Sequence, residues 1–354
     1  MGDDILDALL SALPLPSLAI DSGERIIAAN TEALTLIGQQ ARGRNYVTML
    51  RQPALLDAIE ATLSDAAPRT ARYLSNDGAQ DTTFRVSCRA AQGLGPGAGA
   101  GAVILSFEDI THMEQAGQMR RDFVANVSHE LRTPLTALMG FIETLRGPAR
   151  EDKAAAARFL DIMQDEAERM NRLVGDLMSL NRVEGDERVR PTETIALHDV
   201  LISTQHSLRP LADEAGVTIE AEFPDHPVNM NGDADQLKQV FTNLIENAIK
   251  YGGTGGRVTL RLTLSARDPA LRAPGARVQV IDYGPGIDPV HLPRLTERFY
   301  RADDHRSRAM GGTGLGLAIV KHIINRHRGR LRVESVLGAG ATFTVILPVQ
   351  ENSG

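Results

Sequence analysis

Cysteine is almost missing from this chain: Cys88 is the single one among 354 residues. A disulfide framework needs pairs and a thiolate metal cluster needs several, so neither is expected, and a reducing compartment fits. The first residues lack the basic, then apolar, then small-residue order of a secretory leader. Long hydrophobic runs are scarce too. The apolar stretch at 8–20 falls short of the about 20 residues that a bilayer crossing needs, and Pro14 and Pro16 interrupt it. A basic surplus is also lacking, with 38 Lys and Arg against 45 Asp and Glu and a net charge of −7. That balance argues against nucleic acid as a main partner, since phosphate backbones select basic surfaces. The expectation is a cytoplasmic chain with no membrane segment of its own, membrane-associated only where spanning segments precede Met1. The length suits two or three domains, and 42% hydrophobic residues suffice for their cores.

The first third reads as a small α/β module. Residues 17–21 (SLAID) form a strand, Ser22 and Gly23 a turn, and 24–30 (ERIIAAN) the return strand. Thr31 is expected to cap a short helix, and 53–63 carries helical periodicity. Two late strands follow, DTTFRVSCRA and AVILSFEDI. The stretch 93–102 between them is too rich in glycine to pack and is expected as a long hairpin loop. This order resembles a PAS domain, a small sensor fold. No histidine precedes His112, which disfavours a histidine-ligated haem there. Cys88 falls on a predicted strand rather than in the early helical region where light-sensing PAS domains carry a flavin-reactive cysteine. It reads as a small buried hydrophobe.

The stretch 121–144 is the most informative in the chain. Phe123, Val127, Leu131, Leu135, Leu138 and Ile142 recur at steps of three and four, an apolar stripe on one side of a helix. His129 lies just off the stripe, with its ring expected within reach of water. Glu130 follows it, and Thr133 sits one turn on. Pro134 removes a backbone donor and is expected to bend the helix. A nucleophilic imidazole needs one free ring nitrogen and a base for the proton on the other, and Glu130 can be that base. An ordinary surface histidine requires none of these companions, whereas SHELRTPL supplies them all. Residues from 111 continue as helix into this stretch, a lever able to carry a rotation from the first module to His129. Gly147 and Pro148 end it. A second helix then carries Leu160, Met163, Ala167, Met170, Val174 and Leu177. One helical hairpin leaves each stripe half covered, so pairing with a second copy into a four-helix bundle is expected. The charged run at 183–191 marks a linker.

The remainder reads as a separate α/β domain. The helix at 233–252 places Asn243, Asn247 and Lys250 on one face. Asparagine carbonyls are hard, neutral ligands suited to Mg²⁺ beside phosphate, and Lys250 can balance phosphate charge. Glu246 shares that face as a further ligand or a base. Asp282 ends a strand, where its carboxylate can accept the amine of adenine, and Gly284 and Gly286 let the backbone pass close to the ring. Gly312, Gly314 and Gly316 precede an apolar helix, a ready phosphate cradle. No strand feeds into these glycines and no βαβ unit follows, which opposes a dinucleotide fold. The charged segment 288–309 is expected as a lid over the nucleotide, and the last two alternating stretches as strands closing a sheet.

These motifs, in this order over about residues 110–348, resemble the bacterial sensor histidine kinases, with the phosphate-regulon sensors the most similar subfamily. The resemblance implies a multidomain α+β chain: a PAS-like α/β sensor at 1–110, a linker helix and an antiparallel helical hairpin forming a dimeric four-helix bundle at 111–185, and an α/β sandwich ATP-binding domain at 192–349. It implies ATP and Mg²⁺, a homodimer, and transfer of the phosphoryl group to an aspartate on the receiver domain of a separate response regulator. His129 becomes the phosphoacceptor, Glu130 its general base, and Thr133 the residue that orients water in the reverse phosphatase reaction. Asn243 and Asn247 hold Mg²⁺, and Lys250 a phosphate. Asp282, Gly284 and Gly286 seat adenine. Phe299 steadies the lid, Arg301 reaches phosphate, and Gly312, Thr313, Gly314 and Gly316 line the lid's far end. Tyr283 and Thr296 depart from the residues usual in the family. The linker must let one domain swing to the other for attack. Two other readings carry distinct expectations: an ATPase of the same nucleotide fold, which would release free phosphate, and a degenerate kinase acting as adaptor or phosphatase.

Overall fold

The computed structural model describes residues 2–76, 81–91, 101–148, 150, 152–302 and 312–349. The chain divides into two compact units, Met1–Ala125 and Asn126–Gly354.

The first unit contains α1 (Gly2–Ser11), β1 (Ser17–Asp21), β2 (Ile26–Ala29), α2 (Thr31–Ile37), α3 (Tyr46–Leu50), α4 (Pro53–Asp65), β3 (Arg69–Asn76), β4 (Asp81–Ala91) and β5 (Ala102–Asp109). Its strands form one antiparallel sheet in the order β2-β1-β5-β4-β3. Side chains alternate faces along a strand, and β1 uses both. Leu18 and Ile20 join Leu55, Ile59, Val86, Leu105 and Phe107 in the main core. Ala19, with Ala28, meets Leu6 and Leu10 of α1 on the opposite face. The cap of α2 is Asn30, one residue before the expected Thr31. The Asn30 Oδ1 accepts from Ala33 N at 3.0 Å and from Ser17 N at 2.9 Å, so one amide both starts the helix and ties it to β1. Cys88 is fully buried on β4, and burial pushes its thiol up to about 11, which leaves it unreactive. The expected glycine-rich loop lies, up to residue 100, outside the described residues.

Helices α5 (Thr111–Arg146) and α6 (Lys153–Asp186) make the hairpin, and α5 runs through Pro134. The linker expected from Val183 starts later, after Asp186. Leu173, Leu180 and Val183 are buried and carry the apolar stripe of α6 into the charged run, where the helix packs against the C-terminal domain. Elsewhere the hairpin stays open: Leu135, Met139, Ile142, Leu160, Val174 and Met178 are exposed.

The C-terminal domain comprises β6 (Thr194–Ala196), α7 (Leu197–Glu214), β7 (Thr218–Glu222), β8 (Asn229–Asn231), α8 (Ala234–Gly252), β9 (Arg257–Asp268), β10 (Ala273–Asp282), α9 (Gly316–Arg326), β11 (Arg330–Val336) and β12 (Gly340–Pro348). The main sheet runs β11-β12-β10-β9-β7, antiparallel except at β7–β9. Helix α8 packs on β9, β10 and β12, and α9 on β11 and α8; Phe241, Leu244, Ile245, Ile319 and Ile323 of the helices and Val258, Val278, Val280 and Val345 of the sheet are all buried. Among the described residues no helix is long and apolar enough to cross a membrane.

Candidate functional site

His129 is exposed on α5, as its place beside the stripe requires. The Thr133 hydroxyl donates to the carbonyl of His129 at 3.2 Å, a one-turn back-bond that fixes Thr133 under the imidazole-bearing residue. Consecutive helical residues do not face each other, and Glu130 accordingly turns toward α6. Its Oε2 accepts from Arg169 Nη2 at 3.0 Å and from Arg301 Nη2 at 2.9 Å. Arg169 also reaches Glu166 through Nη1 at 3.0 Å.

On α8, Asn243, Asn247 and Lys250 are all half-buried. Lys250 Nζ pairs with Glu246 at 2.8 Å, which gives Glu246 a role the sequence left open. The Asn243 Nδ2 and the Arg301 Nε are buried with no hydrogen-bond partner among the described residues. A Cβ on Gly316 would stand 3.2 Å from Asn243 Oδ1, so α9 begins directly against the asparagine. Among the described residues no side chain caps the start of that helix at Leu315, which leaves its first N–H groups available to an anion.

Asp282 ends β10 as expected and is 8% exposed. Burial pushes its carboxyl above the usual range, although Gly284 N donates to Oδ1 at 3.0 Å. The two following glycines have a packing reason of their own. A Cβ at Gly284 would lie 2.6 Å from Gly252 Cα, and Gly286 has φ +73° with a would-be Cβ 2.2 Å from the Val336 carbonyl. They let this turn pack against the end of α8 and the β11–β12 connection, and that packing alone requires glycine.

Phe299 and the glycine run close on each other. Phe299 N donates to Gly314 O at 2.8 Å. Phe299 sits at φ +63°, a left-handed conformation that costs a bulky side chain energy and that surrounding structure must enforce. Residues 303–311, most of the far half of the expected lid, lie outside the described residues. Gly312 is half-buried. Thr313 is 9% exposed; its hydroxyl donates to Asp176 Oδ2 at 2.6 Å. Burial raises the Asp176 carboxyl, and the Thr313 hydrogen bond offsets part of that.

Sequence reasoning missed Arg169 and Asp176. Both lie on the polar side of α6, where a solvated face is the ordinary reading, and only the fold brings Glu130 and Thr313 to them. Asp176 belongs to a longer contact of α6 with the C-terminal domain, which includes Gln239 with Ser179, Arg298 with Glu184, and His322 with Glu187 at 2.8 Å, whereas Arg169 joins the two helices of the hairpin. In this arrangement two residues expected at phosphate, Arg301 and Thr313, are held by hairpin carboxylates.

Residues 119–186 match the His Kinase A (phospho-acceptor) domain, and 232–351 match the histidine kinase-, DNA gyrase B-, and HSP90-like ATPase family. The Phosphate regulon sensor protein PhoR of Pseudomonas aeruginosa is 42% identical over 242 residues, 68% of this chain and 53% of the relative. The Sensor histidine kinase WalK of Bacillus subtilis is 39% identical over 243 residues, 69% of this chain and 39% of the relative. The chain spans about half the length, or less, of these curated relatives. The histidine kinase ThkA, solved in complex with the response regulator protein TrrA, shares the fold at a TM-score of 0.50 and 20% identity, covering 98% of this chain and 99% of that one.

Proposed function

We propose, from the premise that the chain belongs to the sensor histidine kinases of two-component systems, that it phosphorylates His129 from ATP and passes the phosphoryl group to an aspartate of a response regulator. The observation that carries this reading is an exposed imidazole in the same compact unit as a domain with two buried, unpartnered donors. Among the described residues the Asn243 Nδ2 and Arg301 Nε have no hydrogen-bond partner, a cost that phosphate oxygens would relieve. The uncapped start of α9 adds backbone donors aimed the same way.

In the step itself, a ring nitrogen of His129 bonds to the γ-phosphorus as the β–γ bridging bond breaks and ADP leaves. Glu130 takes the proton from the other ring nitrogen. Arg301 and Lys250 meet phosphate charge, Asp282 receives the adenine amine, and Gly284 and Gly286 shape the turn beside it. Phe299, Gly312, Thr313, Gly314 and Gly316 frame the phosphate end. Mg²⁺ would be held by Asn243 and Asn247, whose amide oxygens suit a hard cation; when bound it neutralises phosphate charge. Thr133, fixed one turn from His129, orients water in the reverse phosphatase reaction. The exposed stripe of Leu135, Met139, Ile142, Leu160 and Val174 is covered by a second copy in a four-helix bundle. Residues 1–110 serve as a PAS-like sensor, 111–185 as linker and phosphotransfer hairpin, and 192–349 as the ATP-binding domain. Likeness to PhoR favours phosphate-regulon signalling.

Incubation with γ-labelled ATP tests the reading. Acid-labile label that disappears in His129→Ala and moves to a receiver domain is expected. Free phosphate without bound label means an ATPase and refutes it.

A further inference from the structure

We infer that Arg169 is a positioning residue for phosphoryl transfer, holding the carboxylate of Glu130 in place from the opposite helix of the hairpin. The inference rests on the reading of Glu130 as the base for His129. Arg169 is 14% exposed along its side chain, and its two terminal nitrogens divide between two acids, Glu130 at 3.0 Å and Glu166 at 3.0 Å. The guanidinium is planar and is anchored by a second acid, so the nitrogen that meets Glu130 is held in a fixed place.

The second cation on Glu130 has a different allegiance. Arg301 shares the same Oε2 at 2.9 Å, yet it belongs to the C-terminal domain and is needed at phosphate. Once Arg301 turns to the nucleotide, Arg169 is the guanidinium that stays, because α5 and α6 are joined as one hairpin. Without it, the Glu130 side chain would have three free torsions and no fixed position on the hairpin. Glu166, one turn before Arg169 on α6, pins the guanidinium from the far side. Among the described residues the hydrogen-bond partners of Arg169 are Glu130 and Glu166, neither of them expected at nucleotide, so its effect belongs to the rate of transfer and not to ATP affinity.

The test is initial autophosphorylation of the full chain over a range of ATP concentrations. Arg169→Ala is expected to lower the maximal rate about tenfold, a fraction of the usual contribution of a positioned base, with the KM for ATP unchanged. Arg169→Lys restores part of the rate, since a point charge replaces a fork. In a Glu130→Gln background, Arg169→Ala adds no further loss, because the two residues act as a unit. Where thermal melting shows that the alanine variant is unfolded, Arg169→Met keeps the stem packed and is carried through the same cycle. Equal losses from removing Arg169 with and without Glu130, a raised KM alone, or an unchanged rate each overturn the inference while leaving the kinase reading intact. A wild-type chain that takes no acid-labile label removes both.

Discussion

Gly252→Ala is predicted to damage the nucleotide site from outside it. Gly252 is the last residue of α8, and a Cβ built there would stand 2.3 Å from Asp282 Cβ and 2.7 Å from its Oδ1. Carbon atoms rest at about 3.5–4.0 Å, so one partner must retreat by more than about 1 Å. Asp282 has little room to do so. Its backbone pairs with Val258 on β9, and on the other side Gly340 lies so close that a Cβ there would come within 2.0 Å of the Asp282 carbonyl. Overpacking of this kind costs about 1–3 kcal/mol, against about 1 kcal/mol that alanine returns in helix propensity. The net loss of up to about 2 kcal/mol corresponds to a fall in Tm of roughly 2–8 °C for a domain of this size. The larger effect falls on binding. A carboxylate moved by that distance forfeits a hydrogen bond worth about 1.5–3 kcal/mol, or about 10- to 100-fold in Kd for a non-hydrolysable ATP analogue. Calorimetric titration and thermal melting of the variant measure both. Wild-type affinity in Gly252→Ala would show that Asp282 does not receive the base.

Three further outcomes follow from the same geometry. His327 is fully buried, with Nδ1 donating to Ile323 O and Nε2 accepting from Asp233 N, and burial, with Arg326 beside it, lowers its pKa. The unfolded chain then binds more protons below about pH 6.5, so stability is full above that pH and is lost as pH falls toward the lower folded value. His327→Gln should remove that slope from pH-dependent melting curves, and equal slopes would refute the assignment. Asp176 has its carboxyl raised, by burial first, so the folded state holds the extra proton and stability falls as pH rises through the window above the usual carboxylate range. Asp176→Asn keeps a partner for Thr313 and is expected to raise Tm by about 2 °C; calorimetry showing a lower Tm contradicts it. Leu135→Glu with Ile142→Glu places charge in the exposed stripe, and sedimentation is expected to show monomers in place of dimers.

Much of the site was legible because its motifs are local. The spacing from His129 to Thr133, or from Asn243 to Lys250, sets their faces by helix geometry alone, and the exposed His129 and half-buried asparagines follow the pattern. Strand alternation gave the sheet of the first unit nearly strand by strand, apart from β3. The errors came from contacts beyond the local pattern. The cap of α2 went to Asn30 because its amide also meets β1, and the end of α6 moved to Asp186, with Val183 buried on a helix that packs against α9, more than a hundred residues away.

The sequence by itself determined which side chains could do chemistry and on which face of which element they lie, since helical and strand periods depend on neighbours within a turn or two. Only the tertiary structure decided their partners. Glu130 with Arg169 and Arg301, Thr313 with Asp176, and Gly252 against Asp282 are long-range pairings set by how α6, α8 and the sheet pack. Contact across such separations depends on the position of whole elements, which no local spacing encodes.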